Sequence, residues 1–349
     1  MKTRVLKFGN LKIGGDSPVL IQTMIKNSLD DVRKVLATIS RLKNRGCDFI
    51  RLAFKYREDG RYLEEIIKRS PLEVEVDIHF HAYLAVIALN LGAKMVRVNP
   101  GNVKKMELRE VVELAKEKKA IIRIGVNIGS LPKKYIKKDK AQGMVDIVEE
   151  YVGYLEKLGF YDIMLSAKSD SVIDTYRANI KLAEMFNYPI HLGVTATGSG
   201  AESLVKSSVG IGALLLKGIG DVIRVSYTGS VFKEIELAKA ILQSLDIRKF
   251  GPEVISCPGC SRAGINLIKI ANDVKRRVER LNINLPFKIA VMGCEVNGPG
   301  EAKSADIGIA GGRGWGVLFK KGKIVKKVKE GEMVDILIEE LKTIAGGQK

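Results

Sequence analysis

An α/β protein is what this sequence predicts: a (β/α)8 TIM-type barrel over residues 1–245, then a smaller α+β domain over 246–349. Three observations carry this reading. Eight short apolar, β-rich runs recur in the first part of the chain: VLIQTM, DFIRLAF, VEVDIHF, MVRVN, IIRIGVN, DIMLSA, IHLGV and VIRVSY. Amphipathic stretches such as VRKVLATISRLKNRG and MVDIVEEYVGYLEKLG separate most of them, and strand–helix alternation of this length means a parallel sheet. Eight units in this span match a closed barrel of roughly 250 residues. The alternative, an open doubly wound sheet, would show a GxGxxG after its first strand, and none stands there.

The strands carry polar cargo in a set pattern. The second, fourth, fifth and eighth runs each embed an arginine among apolar residues: Arg51, Arg97, Arg123 and Arg224. A guanidinium taken out of water needs an anion. One reading pairs each arginine with a barrel carboxylate such as Asp48, Asp77, Asp162 or Asp221. The other is a shared anionic ligand, because arginine suits bidentate recognition of phosphate. Four arginines in one local pattern point to the second.

Further polar residues gather at the C-terminal ends of the strands, the catalytic face of such barrels. They are Asp77 and His79 on the third, Asn99 on the fourth, Asn127 on the fifth, and Ser166 and Lys168 on the sixth. The seventh runs into GVTATGSG, rich in glycine and hydroxyls, where barrels commonly cradle phosphate with backbone N–H groups. Lys206 in VKSSVGIG supports such a loop. Cys47 precedes its strand and so falls on the opposite, stability face, as a buried, inert thiol.

DIRKFGPEVIS reads as a linker into the second domain. There SCPGCSR sets Cys257 and Cys260 in a CxxC, a spacing that lets two thiolates reach one metal or cluster. A helix is expected to start near Cys260 and run through AGINLIKIANDVKRRVERL, its N-terminus lowering the thiol pKa. Strand FKIAVMG delivers Cys294, IGIAGG and WGVLFKKGKIVKKV add strands, and MVDILIEELKTIA closes as a helix. Cys294 opens CEVNGPGEA, which holds Glu301, and a second CxxC that would complete a zinc ribbon is absent. Three thiolates leave one corner of a cubane cluster for a weaker oxygen ligand that substrate can displace. Zinc held by three Cys and a Glu, or a redox disulfide, are the alternatives.

Charge and hydropathy bound the function classes. The formal charge of +18 comes from 58 Lys and Arg against 40 Asp and Glu. These cations are spread along the chain without an aromatic-interleaved patch or nucleic-acid motif, so nucleic acid is not an expected partner. Attraction of a phosphorylated substrate or an acidic electron-transfer partner accounts for the charge. No apolar stretch approaches the ~20 residues of a membrane helix, so no membrane partner is expected. MKTRVLKFGN lacks the apolar core of a signal peptide, and reduced thiols suit the cytoplasm.

In chain order, KFGNLKIGGDSPVLIQTM, DIHFHAYLA, VRVNPGN, IRIGVNIGSL, HLGVT, GIGDVIRVS, SCPGCSR and CEVNGPGEA resemble the 4-hydroxy-3-methylbut-2-enyl diphosphate synthase family across almost the whole chain. These are iron–sulfur enzymes of the methylerythritol phosphate route to isoprenoids. The resemblance implies a [4Fe-4S] cluster held by Cys257, Cys260, Cys294 and Glu301. It implies reductive ring opening of 2-C-methyl-D-erythritol 2,4-cyclodiphosphate, with loss of water, to 4-hydroxy-3-methylbut-2-enyl diphosphate. Arg51, Asp77, Arg97, Asn99, Arg123, Asn127 and Lys168 correspond to substrate-site positions. Ser261 and Arg262, directly after the CxxC, are expected beside them with His79, Ser166 and Lys206. A ferredoxin or flavodoxin is the implied electron donor, and the implied working form is a homodimer. One departure matters: the family's GVTEAG carries a glutamate considered a proton donor, where this chain has Ala196. The acid role then passes to Thr197, another carboxylate or water. Smaller departures are His81, where Asp is common, and Ile25, where Thr is common.

Overall fold

The computed structural model describes residues 2–136, 139–281, 283, 285–294 and 302–346. The chain divides into two compact units between Arg248 and Lys249.

The first unit opens with an antiparallel hairpin, β1 (Leu6–Phe8) and β2 (Leu11–Ile13). The barrel strands follow: β3 (Leu20–Met24), β4 (Phe49–Phe54), β5 (Glu73–Ile78), β6 (Met95–Val98), β7 (Ile121–Asn127), β8 (Ile163–Lys168), β9 (His191–Leu192) and β10 (Val222–Ile223). Their order around the sheet is β8-β7-β6-β5-β4-β3-β10-β9, every neighbour parallel. A parallel bridge from Leu165 to Ile190 joins the two ends into a ring. After each strand comes a helix: α1 (Val32–Asn44), α2 (Gly60–Arg69), α3 (Tyr83–Asn90), α4 (Arg109–Lys118), α5 (Lys140–Lys157), α6 (Val172–Met185), α7 (Gly200–Leu216) and α8 (Val231–Ser244). The starts of α1, α5, α6 and α8 are fixed by Asp31, Asp139, Ser171 and Ser230, whose side chains accept first-turn N–H groups. In α1 the buried Val35, Ile39 and Leu42 recur at helical spacing and form the stripe that meets the sheet.

Strand period decides what fills the ring. Leu20, Phe49, Met95, Ile121, Met164 and Val222, each at or next to the start of its strand, bury together with Leu6, Phe8 and Ile13 of the hairpin. This is an apolar plug at the N-terminal end, each large side chain worth roughly 1.5–3 kcal/mol of burial. Two residues further along, on the same face of each strand, stand Gln22, Arg51, Arg97, Arg123 and Ser166. The alternation that buries the plug therefore also delivers the arginines inward, one layer up.

In the second unit the strands are β11 (Glu253–Ser256), β12 (Lys288–Met292), β13 (Ile307–Gly312), β14 (Trp315–Lys320) and β15 (Lys323–Lys329). They form one sheet in sequence order, parallel from β11 to β13 and antiparallel thereafter. Two helices, α9 (Leu267–Arg280) and α10 (Met333–Gly346), bury Ile270, Val274, Val278, Leu337, Ile338 and Leu341 with Ile289, Val291, Ile307 and Ile309 of the sheet. The helix expected to start near Cys260 begins seven residues later. Gly259 takes a left-handed φ of +82° and Gly264 packs against the Gly312–Arg313 backbone. The chain is thus turned before Asn266 caps α9 by accepting the Lys269 N–H at 3.2 Å.

Candidate active site

Above the plug, the barrel interior is a network of charge. Arg97 donates to both oxygens of Asp77 at 3.0 and 3.3 Å and to the Gly125 carbonyl at 2.6 Å. Arg51 lies 3.5 Å from the same carboxylate and donates to the Met24 sulfur at 3.0 Å. Arg123, fully buried, donates through Nε and Nη2 to Glu75, which also accepts from Gln22 at 2.5 Å. Arg224 reaches Glu234 of α8 at 3.9 Å, and that carboxylate also takes Thr23 and Lys26.

The electrostatics follow from these pairings. Burial would raise the pKa of Asp77, but Arg97, Arg51 and Arg123 outweigh it and bring it down to about 2. Burial pulls Arg123 and Arg224 down to about 10 despite their carboxylates. Burial, reinforced by the surrounding arginines, holds the Lys168 amine well below its ordinary value. His191 is likewise pushed well down by burial first and by Lys168 next. The Nε–H groups of Arg51, Arg97 and Arg224 are buried and make no hydrogen bond, although those of Arg51 and Arg224 lie 3.5 and 3.9 Å from the Asp77 and Glu234 carboxylates. Unspent donors on cations inside a protein mark a place for an anion.

Directly at the strand ends lies a cleft of about 460 Å³, lined by His79, Arg97, Asn99, Asn102, Asn127, Ile128, Gly129, Ser130, Asp170, Thr195 and Ala196. Asn99 and Ser130 hold one another across it at 3.0 Å, and Ser130 also donates to the Asn127 carbonyl at 3.0 Å. His79, Arg97, Asn99 and Asn127 thus share one cleft. Arg51, Asp77, Arg123, Ser166 and Lys168 lie buried within the strands that end there.

Several sequence expectations need correction. Each arginine meets a barrel carboxylate, as the first of the two readings had it, but of the four carboxylates named there only Asp77 is a partner. Asp48 binds Arg248 at 2.6 Å and Asp221 accepts from Thr3 at 2.8 Å. Asp162, Asp48 and Asp221 all precede their strands and so lie at the other end of the barrel from the arginines. The actual partners besides Asp77 are Glu75 and Glu234. Glu75 was visible in VEVDIHF, two residues before Asp77 and on the same strand face. Glu234 comes from a helix, and no local signal announces it.

Thr197 is 2 % exposed, and its hydroxyl is spent on Ser203 at 2.9 Å and on the Ser226 carbonyl. It does not line the cleft, so it is poorly placed to supply a proton there. Its neighbour Ala196 does, in a left-handed backbone with φ +51° that non-glycine residues seldom adopt. Asp170 is the cleft carboxylate that sequence reading missed. Lys206 is half-buried on α7 and is not among the cleft-lining residues. Cys47 is buried, its Sγ at 3.2 Å from the Phe49 carbonyl, and burial raises its pKa far above the usual thiol range.

The second unit presents the thiols. Cys257 follows β11 directly and Cys294 comes two residues after β12, and these strands run parallel with Ser256 beside Val291. Both cysteines therefore leave the same end of adjacent strands, and the Gly293 N–H points at Cys257 Sγ at 3.3 Å. Cys260 is exposed on the turn beyond, where Arg262 beside it lowers the thiol pKa. That role belongs first to the Arg262 side chain, with backbone N–H groups of the turn adding to it, and not, as expected, to a helix N-terminus. Ser261 and Arg262 are exposed on the same turn.

All four cysteines are free thiols. Among the described residues no three His, Cys, Asp or Glu side chains converge closely enough to hold a metal ion. Glu301, the expected fourth ligand, lies outside the described residues, as does 295–300. In donor type the three thiols fit a thiolate-bound group: two share a sheet end with an N–H aimed at sulfur, and the third has its thiolate favoured.

Comparison with known proteins agrees with this division. The GcpE TIM-barrel domain matches residues 3–239 and the GcpE protein C-terminal domain matches residues 253–343. A 4-hydroxy-3-methylbut-2-en-1-yl diphosphate synthase (flavodoxin) of Aquifex aeolicus is 43% identical over 347 residues, covering 98% of this chain and 97% of that protein. The protein of the same name from Caldanaerobacter subterraneus subsp. tengcongensis is 46% identical over 343 residues, covering 97% and 96%. A solved dihydropteroate synthase from Coxiella burnetii shares the barrel fold alone, at 14% identity and a TM-score of 0.50 over 71% of this chain and 100% of that one. With both of its domains matched in order and near full-length relatives above 40% identity, the chain belongs to the GcpE family.

Proposed function

We propose that the chain performs the reaction for which its relatives are named. It opens 2-C-methyl-D-erythritol 2,4-cyclodiphosphate reductively and releases 4-hydroxy-3-methylbut-2-enyl diphosphate and water. Two electrons and a proton balance the step: one C–O bond to the diphosphate breaks and one hydroxyl leaves as water. The observation that carries the substrate side is the set of buried guanidinium N–H groups of Arg51, Arg97 and Arg224 without acceptors. A diphosphate supplies those acceptors, and fixing it orients the carbon skeleton in the cleft. Glu75 and Asp77 hold the arginines in place, because an unbraced buried cation would swing toward water. Asn99, Asn127 and Ser130 offer hydrogen bonds suited to the hydroxyls of the polyol.

With Ala196 at the cleft and Thr197 outside its lining, Asp170 and His79 are the titratable groups lining it besides Arg97. They are the available proton sources on the barrel side. Cys257, Cys260, Cys294 and Glu301 would hold a [4Fe-4S] cluster, which when bound supplies the two electrons. The same reading divides the labour: the barrel holds the diphosphate and the C-terminal domain the cluster. Flavodoxin, part of the relatives' names, is the proposed electron donor; the proposed working form is a homodimer in the cytoplasm. Among the described residues no helix is long and apolar enough to cross a membrane.

Anaerobic purification tests the cofactor, and turnover of the cyclic diphosphate with reduced flavodoxin tests the reaction. The expected result is iron and sulfide in equal amounts with absorbance near roughly 400 nm. Bound zinc without that absorbance would replace this reading by a hydrolase.

A further inference from the structure

Inside the barrel, cations outnumber the acceptors that answer them. Arg51, Arg97, Arg123, Arg224 and the Lys168 amine share the interior with the carboxylates of Glu75, Asp77 and Glu234. Each carboxylate is already ion-paired: Glu75 with Arg123, Asp77 with Arg97 and Arg51, Glu234 with Lys26 and Arg224, although Glu234 Oε1 accepts no hydrogen bond. Lys168 is only 5 % exposed, yet among the described residues it has no hydrogen-bond or ion-pair partner. Its amine is packed so closely against Gly193, just after β9, that a β-carbon there would come within 2.9 Å of it.

The charged groups that weigh most on Lys168 are cations. Arg123 comes from β7, Arg224 follows β10, and Arg51 and Arg97 add their field from β4 and β6. His191 on β9 is neutral by its own hydrogen bonding. Gln22 spends its amide N–H on Glu75, so its carbonyl oxygen faces His191 Nε2 at 2.8 Å and Nε2 carries the proton. His191 Nδ1 is buried and unpartnered, so a second proton there would have no acceptor.

An unpaired buried cation loses its proton where its chemistry permits. Guanidinium does not permit it, and a lysine amine does. We propose that Lys168 matches the barrel site to the charge of its ligand: the amine is neutral in the empty barrel and takes up one proton from solvent when a multiply charged phosphoryl group enters. The low position of its pKa agrees with the first half of that statement. The site then favours diphosphate over a monoanion, because only a multiple charge draws the extra proton in. This rests on reading the barrel as a diphosphate site.

The test is calorimetric titration of inorganic diphosphate into the whole protein at neutral pH, in buffers of different ionisation enthalpy. Wild type should take up about one proton more per site than Lys168→Arg, which is charged before and after binding. Lys168→Met, neutral throughout, should fold with an undiminished Tm and lose both the uptake and affinity. Equal uptake by wild type and Lys168→Arg overturns the inference and leaves the diphosphate site standing. Should Lys168→Arg not fold, equal uptake by wild type and Lys168→Met overturns it in the same way. If wild type binds no diphosphate, the substrate reading falls and takes this inference with it.

Discussion

The barrel and the C-terminal domain hold their reactive groups by opposite means. In the barrel the arginines, Glu75 and Asp77 lie inside strands, out of water, each fixed by sheet register and by one another. In the C-terminal domain the thiols stand at strand ends and on a turn, Cys260 exposed, and the fourth expected donor, Glu301, lies outside the described residues. Charge buried without bracing is very costly, so a cationic site must be built before its ligand arrives. Thiolates need no such bracing, because a metal or cluster assembles its own ligands and contributes the organising energy. On the proposed reading, the substrate clamp would be part of the fold, while the cluster site would complete itself on loading.

That contrast breaks most sharply at Cys294. Cys294→Ala should reduce turnover to background and empty the protein of iron, with the barrel's thermal transition unmoved. Iron content and activity at wild-type levels would remove Cys294 from the ligand set. The converse change is Arg123→Ala, which strands the fully buried Glu75 carboxylate. It should destabilise the barrel by about 3–5 kcal/mol. The protein's single tryptophan, Trp315, lies in the C-terminal sheet and reports that domain separately. Circular dichroism should thus show an early barrel transition while Trp315 fluorescence keeps its midpoint. Both falling together would mean that the two domains unfold as one.

The smallest effect sharpens the electrostatic side. Asp77 has its folded pKa lowered from 3.8 to about 2, so the stability it contributes is full above pH 4 and is lost as pH falls through 2. The size is about 2 kcal/mol, by the usual 1.4 kcal/mol per unit. Acid unfolding of the barrel between these values should be steeper in wild type than in Asp77→Asn. Equal slopes would show that other carboxylates carry the transition.

Much of this was legible in the chain, for reasons that can be traced to particular residues. Apolar alternation in IIRIGVN and MVRVN told both that strands form and that Arg123 and Arg97 share a face with Ile121 and Met95. The same period applied to VEVDIHF would have found Glu75. It could not find Glu234, which reaches the arginine layer from α8, or Asp170, whose place in the cleft depends on where a loop turns. The start of α9 was misjudged because apolar periodicity continues across Gly259, while the left-handed backbone there does not.

The sequence by itself determined the strand–helix count and the inward positions of the arginines, since each depends on local period or spacing. Only the tertiary structure decided which carboxylate answers which arginine, that the Thr197 hydroxyl is taken up by Ser203 and the Ser226 carbonyl, and that Lys168 is left without a partner among the described residues. Those facts depend on groups far apart in the chain sharing a small dry volume. There the outcome is set by the sum of buried charges and available acceptors, a quantity that no segment of sequence contains.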